Sequence, residues 1–279
     1  MKKFIWIASY PKSGNTMLRL FLSAYFFSDN GKIDSLKIIK NIINFQSLIL
    51  KLPNVPTYDE FKKDLSIVCP LWIQAQKFHS ENIKNSILIK THSFMGNFNN
   101  HPLTNKEYTK GFIHIIRDPR SVAISNMHHY NFNLEESVQT LLDNNRFSLG
   151  RGAPVPEIIA SWNNHYLSWK KFKSDVPGIT IRYEDLITDP NKKFYEVLIF
   201  LKKLINFEIN EQKFNNVINS IQFNNLKNLE KNEGFDEKLH GNSFFRKGLK
   251  DEWKKTLPEN IKDIIENNFK NEMKELDYL

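Results

Sequence analysis

Four short apolar runs constrain the fold more than anything else in the chain: FIWIA at 4–8, ILI at 87–89, FIHII at 112–116 and ITI at 179–181. Runs this short, rich in β-branched residues and without polar alternation, read as strands buried on both faces, as in parallel sheets. Longer patterns with helical spacing separate them, over 15–27, 156–172, 191–204 and 258–273. The second is expected to open at its prolines, and the third follows Asp189-Pro190, a suitable helix start. Strands alternating with helices demand right-handed crossovers, which put helices on both faces of the sheet. The expected fold is therefore α/β, a three-layer sandwich around a central, mostly parallel sheet. No repeat and no Gly/Ser-rich or Pro-rich linker interrupts the sequence, which favours a single domain over 1–279. Ligands of such sheets bind beyond the carboxyl ends of the strands, so the residues just after each run carry the functional reading.

After the first run comes YPKSGNT, Tyr10 to Thr16, immediately before the helical pattern at 15–27. A turn feeding a helix leaves the first backbone N–H groups aimed outward, where the helix dipole adds positive potential. That is a seat for an anion. Lys12 supplies a full charge, Ser13 and Thr16 supply hydroxyl donors, and Gly14 lets the backbone approach a ligand closely. The same residues would also make a plain surface turn with a solvated lysine. The G-x-x-x-x-G-K-[ST] signature of Mg²⁺-binding phosphate loops is absent.

The second run ends in KTHSF, which puts Lys90 and His92 at a strand's carboxyl end, two residues apart and so on one face. A histidine there is the ordinary choice for taking a proton from a hydroxyl, although a lone histidine is often structural. The third run ends in RDPRSVAIS. Arg117 is a natural fork for a phosphate or a partner for Asp118, and Pro119 opens a helix with Ser125 about two turns in. His128 and His129 are adjacent and point different ways. Near the end, FFRKG places Arg246, Lys247 and Gly248 in a compact basic turn that could close on a phosphate or stay solvated. Within 36–52, Ile38, Ile42, Phe45, Ile49 and Leu52 fall on one helical face, which reads as ordinary packing, a substrate wall or a membrane-surface contact.

The net charge of +8 suits an anionic partner, while the lack of a long Lys/Arg block argues against nucleic acid. Cys69 is the sole cysteine, so neither an intrachain disulfide nor a cysteine metal cluster can form, and a reducing, cytoplasmic setting fits. The leader-like start MKKFIWI is cut short at Tyr10-Pro11 with no cleavage site behind it. No stretch has the roughly 18 uncharged apolar residues of a membrane span.

In this order, YPKSGNT, KTH, RDPRSVAIS and FFRKG-x₄-W resemble the motifs of sulfotransferases that use 3′-phosphoadenosine 5′-phosphosulfate (PAPS); RYEDL, Arg182 to Leu186, matches a further recurrent segment. The resemblance spans Tyr10 to Trp253 and implies a P-loop-like nucleotide-binding topology. It implies that Lys12 contacts the oxygen between sulfate and 5′-phosphate, and that Ser13, Gly14, Asn15 and Thr16 hold the 5′-phosphate. It assigns the 3′-phosphate to Arg117, Ser125, Arg246, Lys247 and Gly248, and the adenine to Tyr183 and Phe223. His92 would be the general base, Lys12 and Lys90 would stabilise the leaving oxygen and the transferring group, and Ser125 would restrain Lys12. The product would be 3′-phosphoadenosine 5′-phosphate (PAP), with no metal required.

The chain departs from the family pattern at Met17, where a tryptophan is usual, and at Ile221, where a threonine or serine is usual and Ser220 would have to compensate. Lys250 and Asp251-Glu252 replace the commoner glycine and aspartate of the last loop. The resemblance implies an acceptor that is a small-molecule, glycan or lipid hydroxyl. Phe94, Phe98, Tyr130, Phe132 and Phe147, with the turn LGRGAPVP, either line its pocket or belong to the core. A homodimer is compatible with the sequence. The rival readings are a P-loop-type ATP-dependent small-molecule kinase and a non-enzymatic polyanion-binding protein.

Overall fold

The computed structural model describes residues 3–150 and 153–279. Met1 and Lys2 of the leader-like start, and Arg151 and Gly152 of the LGRGAPVP turn, lie outside the described residues.

The chain begins with β1 (Phe4–Ser9) and α1 (Asn15–Phe27), a 3₁₀ turn (Leu36–Asn41), α2 (Phe45–Ile49), α3 (Tyr58–Lys63) and α4 (Cys69–Asn82). Then come β2 (Ile87–Thr91), the small hairpin β3 (Asn97–Phe98) and β4 (His101–Pro102), β5 (Thr109–Ile116), α5 (Pro119–Tyr130) and α6 (Leu134–Leu142). A second hairpin, β6 (Phe147–Gly150) and β7 (Ala153–Ile158), precedes α7 (Trp162–Phe172), β8 (Gly178–Arg182), α8 (Tyr183–Thr188) and α9 (Pro190–Leu204). The remaining elements are helices: α10 (Glu211–Ser220), α11 (Phe223–Glu233) and, after an irregular stretch over 234–252, α12 (Trp253–Thr256), α13 (Glu259–Asn268) and α14 (Lys270–Glu275). The main sheet has the order β2-β1-β5-β8, is parallel and is flanked by helices, as the four apolar runs predict.

The chain divides into two compact units. The first comprises Met1–Tyr10, Ile43–His114 and Asp143–Thr180. Its core gathers Phe4, Trp6 and Ala8 from β1, Trp72 from α4, Ile89 from β2, Phe112 from β5, Val155 from β7, and Trp169 and Phe172 from α7. Burying aromatic rings of this size gives most of the hydrophobic stabilisation, about 25 cal/mol per Å² of apolar surface removed from water. Phe94 and Phe98, both partly buried, pack against this cluster, whereas Phe147 is 48% exposed.

The second unit comprises Pro11–Ile42, Ile115–Leu142 and Ile181–Leu279. Phe21 of α1 stacks on Phe194 of α9 at 4.3 Å and meets Phe214 of α10 edge-on, which fixes the helix that follows YPKSGN. Helix α5 starts where Pro119 predicts, with the Asp118 carboxylate accepting from the Arg120 amide. Helix α9 likewise starts at Pro190, capped by Asp189.

Three helical expectations are corrected. The segment 36–52 is not one helix: a 3₁₀ turn ends at Asn41, and α2 begins at Phe45. Asn44 between them forms a parallel bridge to Lys90, so the chain is extended there, and Ile39 is buried in place of Ile38. Consecutive β-branched isoleucines make that extension easy. The pattern at 156–172 is a strand followed by a helix that starts only at Trp162. Pro154 and Pro156 sit in the two-stranded β6–β7 hairpin, where a missing N–H is tolerated on an open edge. The closing helix breaks at Phe269 into α13 and α14.

Candidate functional site

In the second unit the turn after β1 is shaped for an anion. Lys12 and Gly14 both have left-handed backbones, with φ of 66° and 101°. A lysine held there is strained, and such strain concentrates at functional turns. Gly14 is required on a second count: a Cβ on it would lie 2.5 Å from the ring of Tyr183. Ser13 is fully buried and its hydroxyl has no hydrogen-bond partner among the described residues. A buried orphan donor is costly unless a ligand meets it.

Arg117 closes one side of this turn. Its guanidinium donates to the Lys12 carbonyl at 3.2 Å and to the Leu249 carbonyl at 3.4 Å, and it lies over the Tyr183 ring at 4.4 Å. Asp118 is taken by Arg120 instead, so the open question of Arg117's partner resolves toward the turn. The Lys12 ammonium stands 4.1 Å above the Phe244 ring. Its pKa is pushed down to about 7, by burial first and by the charge of Arg117 second. His129, edge-on to Phe244, is pushed down to about 3 by burial and then by Lys12, so it is neutral at physiological pH.

The C-terminal basic turn comes to the same unit. Gly248, at φ 65°, has no room for a Cβ, which would lie 2.5 Å from the ring of Phe223. Thus Tyr183 rests on Gly14 and Phe223 on Gly248, an arrangement that brings both expected adenine-side rings onto the two basic turns. Glu230, 6% exposed, accepts the amides of Phe244 and Phe245 and the Ser243 hydroxyl, and so shapes the approach to Arg246. Ser125 sits half-buried in α5. Ser220 donates to the Asn216 carbonyl within its own helix, while Ile221 is buried, so that departure is filled by packing.

Two carboxylates that sequence reasoning missed as site residues already occupy these cations. Glu237 accepts from the Thr16 hydroxyl at 2.7 Å and from Arg19 at 2.6 Å. Glu252 takes both Arg246 nitrogens and the Lys247 ammonium, the last at 2.7 Å. Burial opposes the charge on Glu252, but Arg246 and Lys247 outweigh it and hold its pKa down at about 2. The replacement at Asp251-Glu252 was the visible signal for the second; nothing near Thr16 in sequence signals the first.

In the first unit, β2 delivers Lys90, Thr91 and His92. His92 Nδ1 donates to the Ser9 carbonyl at 2.8 Å, so that in the neutral imidazole the lone pair falls on Nε2. The His92 amide donates to Glu157 Oε1 at 2.7 Å, and Lys90 Nζ stands 3.9 Å from Glu157 Oε2. Arg146 donates to the Tyr10 hydroxyl at 2.5 Å. Among the described residues no group of three His, Cys, Asp or Glu side chains could hold a metal ion, and no helix is long and apolar enough to cross a membrane.

The protein is thus a P-loop-like α/β fold with two basic turns, at Lys12 and at Arg246-Lys247, each packed beside an aromatic ring. The sulfotransferase domain model matches residues 2–277, and the chain belongs to that family, whose chemistry is transfer of a sulfuryl group. It is 25% identical to Sulfotransferase 1B1 of Canis lupus familiaris over 275 residues, 96% of this chain and 83% of that protein. Against Sulfotransferase 1A1 of Bos taurus it is 22% identical, over 96% of this chain and 82% of the relative. Among solved structures, a mouse sulfotransferase complexed with PAP superposes with a TM-score of 0.63 at 21% identity, covering 100% of this chain and 86% of that one. A retinol dehydratase in complex with androsterone and the inactive cofactor PAP gives 0.64 at 18%, covering 97% and 80%. These likenesses establish the fold.

Proposed function

We propose that the chain, acting as one domain over 1–279, transfers the sulfuryl group of PAPS to a hydroxyl acceptor. The observation that carries this reading is the turn from Lys12 to Thr16. It joins a strained lysine, a buried hydroxyl without a hydrogen-bond partner among the described residues and a helix start, under an arginine and an aromatic ring. The residues fit the donor at both ends. Lys12, Ser13, Gly14, Asn15 and Thr16 would hold the 5′-phosphate. Arg117, Ser125, Arg246, Lys247 and Gly248 would hold the 3′-phosphate, with Tyr183 and Phe223 against the adenine. The relatives crystallised with PAP support the same donor.

Sulfuryl transfer resembles phosphoryl transfer, in that positioning and charge stabilisation supply most of the catalysis. His92 Nε2 takes the acceptor's proton. Lys12, with a pKa near neutrality, neutralises charge on the departing phosphate oxygen. Lys90 stabilises the transferring group, and Ser125 restrains Lys12. These cations and the start of α1 supply the positive field that a metal supplies elsewhere.

The deciding experiment is transfer from ³⁵S-labelled PAPS to a panel of hydroxyl compounds, with products identified by mass spectrometry. Labelled sulfate ester is expected. No labelled product with any member, together with no PAP binding by calorimetry, overturns the reading.

A further inference from the structure

Strand β7 carries an anomaly. Side chains alternate along a strand, so Val155 and Glu157 share a face. Val155 lies fully buried in the apolar cluster of the first unit, yet the next residue on that face is a glutamate only 6% exposed. Glutamate is almost never buried without partners. Among the described residues its hydrogen bonds and its ion pair run to one short segment, while His165 of α7 feels its charge. Oε1 accepts the His92 amide at 2.7 Å and the Thr91 hydroxyl at 3.3 Å, and Oε2 faces Lys90 at 3.9 Å. Neighbouring bonds tie down Ser93 and Phe94: Thr91 Oγ1 accepts the Ser93 amide, Trp169 donates to the Ser93 carbonyl, and the Phe94 amide donates to the Ile158 carbonyl.

We propose that Glu157 is a positioning residue for the transfer reaction, fixing where β2 ends and hence where the His92 imidazole is held; this rests on the reading of His92 as the base. The reasoning is geometric. β2 stops at Thr91, so the His92 amide has left the ladder and needs an acceptor. Glu157 supplies it from β7 of the separate two-stranded hairpin, while the Ser9 carbonyl fixes the ring through Nδ1. Backbone amide and ring nitrogen are thus anchored on two different elements, which leaves the imidazole little freedom. Lys90, on the same stretch, is held by the second oxygen. A general base displaced by about 1 Å can lose about a hundredfold in rate.

Three substitutions separate this from a scaffold role. Glu157→Ala removes the acceptor. Glu157→Asp keeps the charge but withdraws the oxygens by one methylene. Glu157→Gln keeps Oε1 and discards the charge. In the ³⁵S assay Ala and Asp are expected to lose about 10- to 100-fold in kcat, with the KM for PAPS and the affinity for PAP unchanged, whereas Gln stays within about threefold of the parent. Hydrogen exchange at the His92 amide, which needs no activity, is expected to quicken in Ala and Asp and stay slow in Gln. Should Ala not fold, the Asp–Gln contrast decides alone. A kcat unchanged in Asp, a loss in Gln that Asp does not share, unchanged amide exchange, or a parallel loss of PAP affinity would overturn the proposal. An inactive parent enzyme would instead overturn the assigned reaction, and the exchange measurement would still judge the anchor.

Discussion

Lys12 shows how one side chain can couple binding to pH. Burial and the Arg117 charge lower its pKa to about 7. In the unfolded chain it holds its proton to about 10.5. Between those values the unfolded state binds more protons, so this residue makes stability rise with pH across that window and adds nothing to the slope below it. A phosphate beside Lys12 favours the ammonium and raises its pKa, so PAP binding near pH 8 must take up a proton. Affinity for PAP is therefore expected to fall as pH rises from 7 toward 9, by up to about tenfold per unit, and to become flat in Lys12→Met. Calorimetry in buffers of different ionisation enthalpy reads the proton directly; zero uptake at pH 8 contradicts the assignment. His92 makes a different residue-scale case. His92→Ala is expected to lose about 10²–10⁴-fold in kcat with PAP affinity intact, and near-normal turnover would remove it as the base.

At the scale of elements, the segment between α11 and α12 behaves as a carrier of internal anions. Its Glu237 sits on Thr16 and on Arg19, and its Glu252 sits on Arg246 and Lys247; Thr16, Arg246 and Lys247 are groups proposed to receive the phosphates. A 3′-phosphate arriving at Arg246 must share or displace the Glu252 carboxylate. Glu252→Gln weakens that competitor while preserving shape, so PAP is expected to bind about tenfold more tightly, the effect of losing roughly one charge-assisted contact; weaker binding would mean that Glu252 builds the turn rather than blocks it. This competition explains what the sequence could and could not reveal. The strands, α1 and α9 were legible because apolar runs, Asp-Pro and a glycine turn act locally. The stretches 36–52 and 156–172 misled because helical spacing can arise by chance where tertiary pairing, Asn44 with Lys90 or β7 with β6, decides the backbone. Lys12, Arg117, Arg246, Tyr183 and Phe223 were proposed from the motifs and the family resemblance, and all five lie in the second unit. Glu237 was not, since its partner Thr16 lies 221 residues away. Glu157 was hidden in the misread segment.

At the scale of the whole molecule, the proposed work is divided. Every residue assigned to the donor's phosphates and adenine belongs to the second unit, and the proposed base, His92, with Lys90 and the anchor Glu157, belongs to the first. Donor binding and proton abstraction should therefore separate cleanly under mutation. A ligand that binds only the folded state at a hundred times its Kd stabilises by about 2.7 kcal/mol, which for a chain of this length raises Tm by about 5–10 °C. PAP is expected to give that shift in the parent, in His92→Ala and in Glu157→Ala if folded, and to lose most of it in Arg117→Ala. ATP with Mg²⁺ lacks the 3′-phosphate that Arg117, Arg246 and Lys247 are proposed to hold, so it should shift Tm far less, and a chelator should alter neither the PAP shift nor turnover. The opposite ranking, with ATP and Mg²⁺ stabilising more than PAP and a chelator abolishing turnover, would return the chain to the kinase reading. Steep salt-dependent binding to DNA with no shift from either nucleotide would return it to a polyanion binder.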